Sequence, residues 1–195
     1  MGKRVKLKKK ERDLGIYYYD FPYILLLTTL LIFAHSVKNY YFSVGYIELT
    51  YSLFLLPFIY FILNLITKKY NYQTAIKSIS ISGISLVVFV VLMGLLSGNG
   101  FSFNNIYGEF CAYVVSCFIN LTIYYFLLIN TKMPGLLIFL NYIFVLITYY
   151  FIYMLFSINT ISFEYFWISY FSTLVIQAFI CWLLTFIDKY IKRGI

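Results

Sequence analysis

Side chains able to do chemistry are sparse in this chain, and most of them interrupt apolar runs. Glu48, Glu109 and Glu164 each stand at or near the start of a long apolar stretch, and His35 and Lys38 lie where the first stretch ends. Four amides, Asn64, Asn120, Asn141 and Gln177, stand inside such stretches. An ionisable group in lipid is costly unless it is paired or used. That singles out Glu109, which sits beside the apolar run Phe110–Val115. The plainer reading is that a carboxylate near a helix start answers the helix dipole. Amides in lipid either hydrogen-bond between helices, for about 1 kcal/mol each, or converge on a polar cavity near the midplane. The residues alone leave both pairs of readings open.

Catalysis has no such footing. There is no Ser/His/Asp set, no pair of carboxylates at the inner side and no Gly-rich phosphate loop, so neither an enzymatic activity nor a cofactor is expected. Cys111, Cys117 and Cys181 lie within apolar segments, and His35 is the one histidine. Zinc-type spacing is missing and three thiols cannot all pair, so the cysteines read as small hydrophobes.

The elements that must position these residues are long apolar segments. The chain has 195 residues, is 63% hydrophobic and only 11% charged, well below the quarter or so of charged residues usual in a soluble domain. Six segments of roughly membrane-spanning length are predicted: Phe21–Phe42, Tyr46–Ile66, Ile76–Leu96, Ile106–Ile129, Gly135–Phe156 and Phe163–Ile187. The breaks carry turn and charge signals: Lys38-Asn39, Lys68–Asn71, Gly98-Asn99-Gly100, Asn130–Gly135 and Ser157–Ser162. Ser78–Ser85 alternates with period two and reads alone as a strand. An open strand cannot cross lipid, so it is expected to be a helix whose small residues allow close packing. The 22 Tyr and 21 Phe read as compositional background plus interfacial belts.

Charge sets the expected orientation. Fourteen of the 15 Lys and Arg residues fall in the N-terminal tail, the second and fourth connections and the C-terminus; Lys38 alone falls on the other side. The positive-inside rule then puts both termini in the cytoplasm. The expectation is an all-α polytopic membrane protein: a six-transmembrane-helix bundle over residues 21–188, between a basic tail 1–20 and a short basic C-terminus 189–195. The basic tail reads as an anchor near anionic lipid, not as a nucleic-acid site. No small-residue cleavage site follows the first apolar run, which reads as a retained span.

Two stretches resemble the VUT family of bacterial queuosine precursor transporters. That family shows Asp-Ile-x-x-Glu-x-Tyr-Gly-x-x-x-Ala at the inner end of its second span. Here Asn64-Leu65-Ile66-Thr67-Lys68-Lys69-Tyr70-Asn71-Tyr72-Gln73-Thr74-Ala75 keeps the Tyr and the Ala, with Asn64 for Asp, Lys68 for Glu and Asn71 for Gly. The family's fourth span carries Gly-Ser-x-x-Ala-Phe-x-x-Ser-Gln-x-x-Asp. Here Gly108, Ala112 and Ser116 match, Tyr113 is close to Phe, Cys117 stands for Gln and Asn120 for Asp. A third frame, Arg-Asn in the fifth span, is matched by Asn141, with Leu140 in place of Arg.

The resemblance implies a plasma-membrane (cell inner membrane) transporter that takes up a small planar heterocyclic solute of the 7-deazaguanine type by alternating access. It implies a central polar pocket around Asn64, Asn120, Ser116 and Glu109, with Cys117 and Asn141 beside it. Both Asp-to-Asn departures keep size and an acceptor but remove a titratable charge, so proton coupling through those positions is not expected. Two alternatives remain: a substrate-binding subunit of a multi-component importer, or a non-transporting membrane scaffold of the immunity-protein kind. No oligomeric state is read from the sequence.

Overall fold

The computed structural model describes residues 21–37, 40–44, 47–96, 104–129, 135–157 and 163–191. Among them the chain forms six helices and one short hairpin: α1 Phe21–Ser36, β1 Tyr41–Val44, β2 Ile47–Thr50, α2 Tyr51–Lys69, α3 Tyr72–Leu96, α4 Asn104–Ile129, α5 Gly135–Ser157 and α6 Phe163–Tyr190. The basic tail 1–20, Lys38, Lys132 and the glycine break at 98–100 lie outside the described residues, as do the side chains of Glu48 and Glu164.

Four stretches are long and apolar enough to cross a membrane: Tyr72–Leu96, Tyr107–Ile129, Gly135–Phe156 and Phe171–Tyr190. α1 is a shorter apolar helix. α2 runs through the middle and touches α3, α4, α5 and α6. Its Ile59, Tyr60, Leu63, Asn64 and Ile66 have no exposed surface, as expected of a helix that is apolar almost all round. The peripheral helices turn large apolar side chains outward, among them Ile84 and Val88 on α3, Phe126 on α4, Phe151 on α5 and Phe179 on α6. In water such a surface would be an aggregation liability; against lipid it costs nothing.

The first connection departs from expectation. Residues placed at the end of one span and the start of the next instead form an antiparallel hairpin, with Phe42 opposite Leu49 and Ser43 opposite Glu48. The stretch YFSV-GY-IELT is rich in β-branched and aromatic residues around a glycine, a hairpin signal hidden by its overall hydrophobicity. α1 therefore ends at Ser36, not Phe42, and α2 begins at Tyr51 with no acidic residue in its first turn. Glu48 belongs to β2, so the helix-dipole account of it does not hold.

Ser78–Ser85 is helical, as the bilayer argument required. α3 buries Thr74, Ala75, Ser78, Ile79, Ser82, Gly83 and Leu86, a stripe with helical period. Ser78 and Ser82 return their hydroxyls to the carbonyls of Thr74 and Ser78, at 2.8 and 2.7 Å. At Gly83 an added Cβ would stand 3.2 Å from the Phe110 ring, so the small side chain sets the closeness of α3 to α4. Asn71 starts this helix as its N-cap, its Oδ1 accepting the Thr74 N–H at 2.7 Å.

Candidate functional site

α4 supplies the axis of the site. Glu109, Tyr113, Ser116, Asn120 and Tyr124 follow one another at intervals of three or four residues, and all are buried. At 3.6 residues per turn that spacing is a single inward face. The partners come from α1, α2, α3, α5 and α6, so the stripe is a polar seam through an otherwise apolar core.

At its centre three amides form a hydrogen-bonded chain across three helices. Asn141 Nδ2 on α5 donates to Asn120 Oδ1 at 2.8 Å, and Asn120 Nδ2 on α4 donates to Asn64 Oδ1 on α2 at 2.8 Å. Asn64 and Asn120 are fully buried, and Asn141 is buried. Two valences stay open: Asn64 Nδ2 and Asn141 Oδ1 are buried without a hydrogen-bond partner among the described residues. Reversing all three amides would exchange the two ends and still leave one donor group and one acceptor. The Tyr142 hydroxyl on α5 lies beside the Asn64 amide, outside good hydrogen-bond geometry. Gln177, the fourth amide of the sequence set, is fully buried on α6.

Toward the start of α4 the seam consists of hydroxyl pairs. Tyr60 donates to Ser116 Oγ at 2.8 Å, Ser116 donates to the Tyr113 carbonyl at 3.0 Å, and the Tyr113 hydroxyl pairs with Ser82 Oγ at 2.6 Å. Cys117 is fully buried with a free thiol, against Tyr113 and Tyr60. Beyond these, Glu109 Oε2 meets His35 Nδ1 of α1 at 2.8 Å, and Tyr149 of α5 lies nearby. Glu109 stands about 16 Å along the helix from Asn120, at 1.5 Å per residue. It is thus in the same seam but not in contact with the amides. It also lies outside the first turn of α4, so its partner is the histidine and not the helix dipole.

Toward the other end the seam becomes charged. Lys68 Nζ on α2 stands 3.3 Å from Asp188 Oδ1 on α6 and donates to the Asp188 backbone carbonyl. The Tyr124 hydroxyl reaches both carboxylate oxygens, at 3.0 and 3.1 Å. The Lys68 side chain is 7% exposed and that of Asp188 fully buried. At the next residue of α2, Lys69 donates to the Tyr23 hydroxyl and lies over its ring, 4.9 Å from the centroid, which fastens the start of α1 to the same end.

The sequence therefore located the amides, while the structure adds the Lys68–Asp188–Tyr124 cluster and the inward tyrosines. Lys68 reads from the sequence as a loop charge, and Asp188 falls at the limit of the last segment. The overlooked signal is helical spacing. Thr173, Gln177, Cys181, Thr185 and Asp188 form one buried stripe on α6, as Tyr60, Asn64 and Lys68 do on α2.

Comparison of the chain with family models, curated proteins and solved structures gives no match. The site thus rests on its own geometry. Among the described residues no group of His, Cys, Asp and Glu could hold a metal ion.

Proposed function

We propose that this protein is a plasma-membrane transporter of a small planar heterocycle, of the queuosine precursor type, with the amide chain as its solute site. One observation carries the reading. Asn64, Asn120 and Asn141, each picked out by a different resemblance frame, meet in one hydrogen-bonded chain. All six helices cross the membrane in this reading, with both termini cytoplasmic, so the Lys68 end faces inward and the His35 end outward.

The open valences also support a ligand. An unpaired polar group held in the interior costs about 1–3 kcal/mol, a cost that a bound solute would offset. Asn64 Nδ2 and Asn141 Oδ1 offer one donor and one acceptor, at the two ends of the chain, to the polar groups of a solute. The rival reading, a membrane scaffold, draws on the same chain: three amides bonded to each other also glue α2, α4 and α5. Solute feeding separates the two. In cells lacking both queuosine synthesis and uptake, expression of this chain with precursor in the medium should restore queuosine to tRNA. Absence of queuosine despite correct membrane insertion would defeat the transport reading.

A further inference from the structure

Alternating access requires a closure on each side of the solute site, and the seam holds two polar clusters of different build on either side of the amides. We infer that His35–Glu109 and Lys68–Asp188–Tyr124 are those two closures; the inference rests on the transport reading and adds the residues that open and shut the path.

Position is the first argument. On α4, Asn120 lies between Glu109 and Tyr124, and on α2, Asn64 lies between Tyr60 and Lys68. Each cluster ties different helices. His35 brings α1 to α4; Lys68 and Asp188 bring α2 to α6, and Tyr124 adds α4. Neither tie joins residues of one helix, so each breaks when the helices it links separate.

Chemistry is the second argument. Charged and polar groups within a bilayer core persist when they neutralise one another, and such a contact is lost as a unit once water enters and solvates both partners. Both clusters are formed in this structure, with the Tyr60–Ser116 and Tyr113–Ser82 pairs filling the seam between Glu109 and the amides. The conformation is therefore closed on both sides, with the amides occluded.

Cys117 supplies a reporter. It is fully buried, packed between Tyr113 and Tyr60, and lies about one turn from Asn120. With Cys111→Ser and Cys181→Ser in the full chain, a membrane-impermeant maleimide can be added to intact cells or to inverted vesicles. The parent should label slowly from both faces. Glu109→Gln and His35→Ala should raise the rate from the His35 face alone. Asp188→Asn and Lys68→Met should raise it from the Lys68 face alone. Each increase should be about tenfold or more, the scale of losing one charge-assisted hydrogen bond. Lys68→Arg keeps the cation and should label like the parent.

A misfolded variant would label from both faces, so one-sided acceleration identifies a closure. Unchanged rates, or equal acceleration from both faces in well-folded protein, would overturn the inference. The assay uses no solute. Uptake with unaltered labelling would remove only the closures, and one-sided labelling without uptake would remove only the transport reading.

Discussion

The amide chain at the centre of the seam and the charged cluster at its Lys68 end are about one helical turn apart, yet they are built on opposite principles. In the cluster every strong group is engaged: the Asp188 carboxylate receives the Lys68 ammonium and the Tyr124 hydroxyl. In the chain each amide is bonded, but the two ends keep an open donor and an open acceptor. Full neutralisation suits a contact that must hold against lipid. Open valences suit a place where something else is to bind. The difference teaches that burial of a polar group does not itself mark a site; what separates the two regions is hydrogen-bonding capacity left at the ends of the chain.

Breaking the charged cluster should have the largest effect. Lys68→Met leaves a buried carboxylate without its cation and should cost about 3–5 kcal/mol, read as a lowered thermal midpoint in detergent. Lys68→Met with Asp188→Leu should recover most of that loss, because removing both charges of a buried pair is often close to neutral. A double variant as unstable as the single one would mean that the cluster is not an isolated pair.

Tyr124→Phe tests the same region more gently. It removes one donor to the carboxylate while Lys68 stays, and should cost about 1.5–3 kcal/mol, the range for hydrogen bonds to charged groups. No loss of stability would place the hydroxyl outside the cluster's working contacts and narrow the contrast with the centre.

The amides come next. Asn120→Ala removes both links of the chain and should cost about 1–2 kcal/mol, twice the usual interhelical bond in lipid. Asn64→Ala and Asn141→Ala each remove one link and should cost about half as much, roughly 0.6–1 kcal/mol. All three should abolish any thermal stabilisation by a planar heterocycle, whereas Tyr124→Phe should leave it. If the amide variants were destabilised like Lys68→Met, or kept the solute response, the centre would be structural after all and the comparison would collapse.

Much of the helical frame was legible because each segment had to satisfy its own backbone in lipid. α3, α4, α5 and α6 start within a few residues of the segments drawn from hydropathy and breaks. Ser78–Ser85 was recovered as helix against its period-two pattern for that reason. The hairpin at Tyr41–Thr50 was not, because YFSVGYIELT is as apolar as the helices beside it and hydropathy does not distinguish strand from helix. Glu109 was rightly marked as needing an account, but its partner His35, 74 positions away, has no signature in local sequence.

The site divides in the same way. Residue types and spacing were enough to establish a helical, apolar chain with amides buried in its segments, since both follow from what one helix must do to sit in lipid. Which amides meet was a matter for the tertiary structure, because a side chain carries no local record of the helix it will face. The packing of α2 at the centre put Asn64 against Asn120 and Lys68 against Asp188. It turned a lysine that local sequence marks only as a loop charge into half of a buried pair. It also made inward-facing hydrogen-bonding groups of Tyr60, Tyr113 and Tyr124, tyrosines that composition alone assigns to background.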